Sequence, residues 1–178
     1  MEKELEVKVL SKNLDKIKKD IISKGAKILA HEYQDNILID SSANPIKDLD
    51  YMRIRILEDS YQNISRKELT YKKRVADKLV RSYDEYTVIF DDLENMKAIL
   101  QLLGFDIFEA TKKERESFAY KNARFDFDSW DKEFFPFPYL EIEVKNEDDL
   151  DSIIEDLKLD RNEISRKSIK ELKEIFSK

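Results

Sequence analysis

Residues 4–8 read Glu4-Leu5-Glu6-Val7-Lys8, inside the opening stretch MEKELEVKVL (1–10). On an extended strand Leu5 and Val7 face one way, and Glu4, Glu6 and Lys8 face the other. A lone strand of this kind simply turns its charged face to water. The same device then returns along the chain. Arg53 and Arg55 alternate with Ile54 and Ile56. Thr70, Lys72 and Arg74 share one face of LTYKKR (69–74), and Arg81, Tyr83 and Glu85 share another. Lys113 and Arg115 alternate in KKERES (112–117). Arg124, Asp126 and Asp128 alternate with Phe125 and Phe127, and Glu141 and Glu143 with Leu140, Ile142 and Val144.

Period-two patterning predicts strands over 2–9, 27–39, 51–57, 68–75, 80–90, 105–120, 123–130 and 139–145. Helical spacing predicts helices over 14–24 (Leu14, Ile17, Ile21, Ile22), 93–103 (Leu93, Met96, Leu100, Leu103), 150–157 (Leu150, Ile153, Ile154, Leu157) and 164–176 (Ile164, Ile169, Leu172, Phe176). Asn13 and Asp92 stand where N-caps of the first two belong. The two glycines of the chain, Gly25 and Gly104, end those same helices, where a left-handed C-cap favours glycine. A unit of strand, helix, glycine and long strand therefore occurs twice, as in a duplication. Pro136 and Pro138 stiffen the entry to the last strand.

The class is α+β. The helices can cover the apolar faces, leaving all the charged faces together on the other side. An open antiparallel sheet turns them to solvent. Eight such strands can instead close into an antiparallel barrel with the charges in its lumen and the helices packed outside. Such a lumen is costly when empty, since two like charges about 4 Å apart repel by roughly 4 kcal/mol at an effective dielectric near 20. A ligand carrying both signs relieves it. A metal–polyphosphate complex is one: carboxylates hold the cation, Lys and Arg the phosphate oxygens. Glutamates at i and i+2 supply two hard oxygen donors from one strand face, and Glu4/Glu6 and Glu141/Glu143 are two such pairs.

Composition bounds the alternatives. The 178 residues suit one domain over 1–178. With 33 basic and 39 acidic residues the net charge is −6, which argues against nucleic acid as partner. The absence of cysteine removes disulfides and thiolate zinc sites, and the single histidine, His31, removes His-pair metal sites and disfavours a Ser-His-Asp triad. His31 reads as a surface or packing residue, Lys73 and Arg74 as surface charge, and Trp130 with FFPFP (134–138) as packing aromatics. No apolar run approaches the roughly 20 residues of a membrane span. The acidic start lacks an apolar leader segment. The expectation is a cytoplasmic protein without a membrane partner.

These residues resemble the CYTH domain, the triphosphate tunnel metalloenzymes. Glu4-x-Glu6-x-Lys8 is similar to its ExExK signature. In order along the chain, Arg53 and Arg55, Lys72 in LTYK, Arg81 with Glu85, Lys113-x-Arg115, and FDFD followed by YLEIE look like its later strands. The likeness spans residues 1–145. It departs at Tyr83, where that family carries an acid, at Lys73-Arg74, where Gly-Pro is frequent, and at Val144, where Gly is frequent. The connection SWDKEFFPFPYL (129–140) also lacks a frequent Leu-Gly.

The resemblance implies an eight-stranded antiparallel tunnel using Mg²⁺ or Mn²⁺ on a substrate with a linear triphosphate. It implies metal ligation by Glu4, Glu6, Glu141, Glu143 and Asp128, with Lys8 and Glu85 completing the catalytic set. It implies phosphate binding by Lys8, Arg53, Arg55, Lys72, Arg81, Lys113 and Arg115. The expected activity is metal-dependent hydrolysis of tripolyphosphate, a nucleoside triphosphate or thiamine triphosphate. The alternatives are adenylate cyclisation of the class IV type, a polyphosphate- or nucleotide-binding module, and an interaction domain with a zwitterionic face. No clear nucleoside-reading set appears; Tyr83, Trp130 and Phe137 are the aromatics at hand. The C-terminal helix either caps the barrel or mediates a homodimer.

Overall fold

The computed structural model describes residues 5–47, 50–74 and 83–176, with the side chains of Tyr83 and Lys170 excepted. The strands are β1 (Leu5–Val9), β2 (Lys27–Asp40), β3 (Tyr51–Asp59), β4 (Ile64–Arg74), β5 (Tyr83–Phe90), β6 (Ile107–Tyr120), β7 (Ala123–Trp130), β8 (Tyr139–Val144) and β9 (Ile164–Ser165). The helices are α1 (Leu14–Ser23), α2 (Leu93–Leu102), α3 (Glu147–Leu157) and α4 (Ile169–Phe176). The hydrogen-bonded strand order is β5-β4-β3-β2-β6-β7-β8-β1-β9. The α+β class with one large antiparallel sheet and a few helices is as expected, and β1–β8 are the eight expected strands. Two features differ: the sheet has nine strands, and it is not closed. The ninth arises because Ile164 and Ser165, expected to open a helix, pair with Val9 and Lys8.

The chain forms two compact units, one of residues 1–31 and 114–178 and one of residues 32–113. In the first, the apolar faces of β1, β7 and β8 bury Leu5, Val7, Val9, Phe125, Leu140 and Ile142. Leu14, Ile17 and Ile21 of α1 and Leu150, Ile153 and Ile154 of α3 are buried in the same unit. A satellite cluster packs Phe135, Tyr139 and Leu172 with Trp130, Phe134 and Phe137, so the FFPFP aromatics are packing residues. Phe137 meets Phe176 of α4 edge-on, at 4.8 Å between ring centres. In the second unit, Ile37, Ile39, Met52 and Ile54 form the core with Leu100 of α2.

The caps follow the sequence with one exception. Asp92 accepts from the Asn95 N–H at 2.9 Å, as an N-cap should. Asn13 holds the corresponding place on α1 but makes no side-chain cap bond; its ψ of 30° leaves the extended region that a capping side chain needs. Gly25 (φ 90°) and Gly104 (φ 94°) both take the left-handed conformation after their helices. Ala26 N–H donates back to Ile21 O at 2.9 Å and Phe105 N–H to Leu100 O at 3.0 Å, the same closing bond in both places. Helix α4 starts at Ile169, five residues later than expected. Ser168 and Glu171 form a capping box there: the Ser168 N–H donates to Glu171 Oε2 at 2.8 Å, and the Glu171 N–H to Ser168 Oγ at 3.1 Å.

Which side of the sheet is buried changes along the second unit. Over Met52 and Ile54 the apolar side is buried. Further along, Leu57 and Asp59 are buried and Glu58 is exposed. On β2, Gln34 and Asn36 are buried while Tyr33 and Asp35 are exposed; on β6, Thr111 and Lys113 are buried while Ala110 and Lys112 are exposed. Here the buried side of the sheet is the one that carries polar groups.

Candidate active site

In the first unit the charged faces of β1, β8, β7 and β6 lie side by side. The antiparallel register of β1 with β8 sets Glu6 opposite Glu143 and Lys8 opposite Glu141. That of β7 with β8 sets Arg124 opposite Glu143 and Asp126 opposite Glu141. Alternation brings the partners of each row to one face. Lys8, buried to 8% side-chain exposure, donates to Glu6 and stands 3.1 Å from Glu141. Burial pulls its ammonium down, but Glu141 and Glu6 outweigh that, and its pKa ends above the ordinary lysine value.

Arg115 of β6 gathers the other acids. Its Nε and Nη2 donate to Asp128 at 2.6 Å each, Nη1 to Asp126 at 2.7 Å, and Nη2 also to Glu141 at 2.6 Å. Four of the five guanidinium N–H groups are thereby taken by carboxylates. Burial opposes its charge, but Asp128, Glu141 and Asp126 more than restore it, and its pKa is raised well above the arginine norm. Asp126 also accepts from Ser117 at 2.6 Å and from Arg124 at 2.8 Å. Tyr139 lies opposite Asp128 and receives the Trp130 indole N–H at 2.8 Å. Its phenol is raised well above the usual value, first by burial and then by Glu141 and Asp128.

The described acids of this face are Glu6, Asp126, Asp128, Glu141 and Glu143, against Lys8, Arg115 and Arg124. Among the described residues no three Asp, Glu or His side chains stand close enough together to form a metal cage. Mg²⁺ does not require one, since it is typically held by one or two carboxylates together with water and substrate phosphate. Glu6 and Glu143 stand directly opposite each other on neighbouring strands, with Lys8 bonded to Glu6. Their hard oxygen donors, on a face with more acids than bases, fit a divalent ion.

The second unit carries the cationic set. Arg53 stands opposite Thr70, and Arg55 opposite Asn36 and Glu68. Asn36 Oδ1 accepts from Arg55 Nε at 2.9 Å, fixing that guanidinium. Lys72 pairs with Glu85 at 2.6 Å across β4 and β5. Burial raises Glu85, but its bond to Lys72 and the charges of Lys72 and Arg53 bring it below the normal carboxylate value. The Nε of Arg53 is buried with no hydrogen-bond partner among the described residues. A guanidinium N–H in that state suits an anion. Lys113 is buried in the same unit.

The alternation thus brings together Glu6, Lys8, Asp128, Glu141, Glu143 and Arg115 in one unit, and Arg53, Arg55, Lys72 and Glu85 in the other. Glu4 and Arg81 lie outside the described residues. The sequence reading omitted Asp126, although FDFD presents it on the same face as Asp128. It omitted Asn36 and Gln34 as well, because 31–36 is polar on both faces and hides its period. His31, half-buried, meets Glu114 at 2.7 Å on the strand surface, and Lys73 is exposed, both as expected.

A family model described as CYTH domain matches residues 2–173. The chain belongs to the CYTH domain family. A protein of Methanocaldococcus jannaschii named "putative adenylate cyclase" is 25% identical over 178 residues, covering 96% of this chain and 98% of its own. The PH1012 protein of Pyrococcus horikoshii shares the fold at a TM-score of 0.75 and 24% identity, over 95% of this chain and 98% of its own. A Hippeastrum protein described as a "putative adenylyl cyclase" with a dominant triphosphatase activity aligns at a TM-score of 0.64 and 15% identity, over 89% of each chain. CYTH members act as triphosphatases or adenylate cyclases, and divalent-metal dependence is general among them. Among the described residues no helix is long and apolar enough to cross a membrane.

Proposed function

We propose that this CYTH protein hydrolyses a triphosphate with the help of Mg²⁺ or Mn²⁺. The observation that carries the proposal is the segregation of charge. One unit presents a carboxylate-rich face, and the other presents Arg53, Arg55 and Lys72, with a buried guanidinium N–H of Arg53 unsatisfied among the described residues. A metal–triphosphate complex carries both signs, and the chain supplies residues suited to each.

Glu6 and Glu143 are the proposed metal ligands, with Glu4 beside them in sequence. Asp128 is committed to Arg115, so its part is to hold Arg115 and, through it, Glu141 in place. A divalent cation held by these carboxylates would neutralise charge on the reacting phosphoryl group. Lys8, fixed by Glu6 and Glu141, keeps the acids apart and remains cationic at neutral pH. Arg53, Arg55, Lys72 and Lys113 bind phosphate oxygens, with Asn36 and Glu85 orienting Arg55 and Lys72.

The test is phosphate release from tripolyphosphate, ATP, GTP and thiamine triphosphate with Mg²⁺, Mn²⁺ or chelator. Metal-dependent release that is lost in Glu6→Gln supports the reading. Full activity of Glu6→Gln overturns the metal assignment. The relative named for adenylate cyclase favours a second reading, conversion of ATP to cyclic AMP and pyrophosphate. Those two as main products, without ADP, would establish it instead.

A further inference from the structure

Along the polar side of the second unit, the strand registers order the side chains in rows. Tyr51, Lys72 and Glu85 form one row, Arg53, Thr70 and Thr87 the next, then Arg55 with Asn36 and Glu68. One row further on, Leu57 lies opposite Gln34. Arg66, opposite Leu57 on β4, is exposed and turned back to Glu68 at 2.5 Å. The side therefore passes from three cationic rows to a buried pairing of an aliphatic side chain with an amide. Successive same-face rows are about 6.6 Å apart. The step from the Arg55 row to the Gln34 row thus lies within reach of one bound molecule.

Gln34 is 2% exposed, and its Oε1 has no hydrogen-bond partner among the described residues. Its amide orientation is settled by chemistry: Nε2 donates to the Glu32 carboxylate, which only a donor can face, so the oxygen is the orphan. On the neighbouring strand β6, the Oγ1 of Thr111, 8% exposed, is also buried without a partner among the described residues. Buried orphans of this kind are uncommon and costly. The Gln34 carbonyl oxygen calls for a donor. Ionised tripolyphosphate offers acceptors almost exclusively, whereas a nucleoside or an aminopyrimidine offers O–H or N–H groups.

We infer that Gln34, supported by Thr111, is the residue that determines specificity. Its amide oxygen accepts a hydrogen bond from the organic end of the substrate, which rests against Leu57 while Arg55, Arg53 and Lys72 hold the phosphates. The substrate class is an organic triphosphate whose headgroup carries an N–H or O–H donor, in preference to tripolyphosphate. This rests on the triphosphate reading above and narrows it. The role falls to a strand amide because Trp130 and Phe137 are engaged in the aromatic cluster of the other unit.

The test is calorimetric binding in EDTA, where turnover is suppressed, of ATP, thiamine triphosphate and tripolyphosphate to the full chain. The chains compared are wild type, Gln34→Leu and Thr111→Val. Wild type is expected to bind at least one organic triphosphate about tenfold or more tighter than tripolyphosphate. Gln34→Leu should weaken that ligand by about 10–100-fold, the range for losing a buried hydrogen bond, and leave tripolyphosphate within about threefold. The organic ligand that is weakened identifies the headgroup. Thr111→Val keeps the shape and should raise the melting temperature of the ligand-free protein by removing an orphan hydroxyl. It should also weaken the same ligand; if Gln34→Leu fails to fold, this variant decides the matter. Equal wild-type affinities, equal losses for both ligand types, no loss, or no binding at all would each overturn the inference. Phosphate release separates the two ideas. Hydrolysis without discrimination leaves the triphosphatase reading standing and removes this one; discrimination without hydrolysis does the reverse.

Discussion

Arg115 holds Asp128 in a two-point fork, Nε to Oδ1 and Nη2 to Oδ2, each at 2.6 Å. Asp128 is fully buried, and the same guanidinium reaches Asp126 and Glu141. Three strands are tied at one point. Arg115 is the counter-charge that lets these acids share a face.

Removing that counter-charge should therefore cost stability as well as activity. Arg115→Ala leaves buried carboxylates without their partner and is expected to destabilise the protein by about 3–5 kcal/mol. Arg115→Lys keeps the charge but loses the fork, and should fall between the two. Urea unfolding measures this. A loss under about 1 kcal/mol for the alanine variant would show that the acids do not depend on Arg115.

Asn36 positions Arg55 through the 2.9 Å bond to Nε. Asn36→Leu should raise KM for the triphosphate by about tenfold, the cost of losing one hydrogen bond to a charged group. It should leave kcat nearly unchanged. Steady-state kinetics with the best substrate gives both values. A fall in kcat at constant KM would place Arg55 at the reacting phosphoryl group instead.

Asp156 of α3 joins Lys24, Lys121 and the Tyr120 hydroxyl, at 2.9, 3.3 and 2.8 Å. The Lys24 and Tyr120 hydrogen bonds lead in pushing its carboxyl down to about 2. A depressed carboxylate contributes stability above its unfolded pKa near 3.9, and that contribution is lost as pH falls through the folded value. Asp156→Asn should thus be less stable than wild type at pH 5–8, with the difference closing between about pH 4 and pH 2. Urea midpoints against pH will show the convergence; a constant gap down to pH 2 would exclude Asp156 as its source.

Ligand and metal should be separable. Tripolyphosphate with Mg²⁺ at 100 times its dissociation constant should stabilise the fold by about 2.7 kcal/mol. In Glu143→Gln the increment from Mg²⁺ should vanish while that from tripolyphosphate alone persists. Thermal unfolding with each component omitted in turn provides the comparison. Retention of the Mg²⁺ increment in that variant would move the ion away from the Glu6/Glu143 pair.

Strand alternation made most of this arrangement legible in the sequence. Glu6 and Lys8, Glu141 and Glu143, and Arg53 and Arg55 each declare a face by period two, and within the first unit the register then sets Glu6 beside Glu143 and Lys8 beside Glu141. Gly25 and Gly104 marked both helix ends because only a left-handed residue closes those turns. What stayed hidden lacked a period. The segment 31–36 carries polar residues on both faces, one buried and one wet, so neither Gln34 nor Asn36 stood out. The resemblance implied a metal role for Asp128; its bonds to Arg115 of the neighbouring strand carry no period in the sequence. The start of α4 was misplaced because Ile164 fits the helical spacing, while the capping pair Ser168 and Glu171 carried the true boundary.

The proposed reaction is metal-dependent cleavage of a triphosphate at its terminal phosphate. Phosphorus NMR of ATP incubated with the full chain and Mg²⁺ or Mn²⁺ tests it most directly. The γ resonance should be lost as orthophosphate and ADP grow, and both changes should be abolished by chelator and by Glu6→Gln. Cyclic AMP with pyrophosphate, or an unchanged spectrum for ATP and for thiamine triphosphate and tripolyphosphate run alongside, would contradict it.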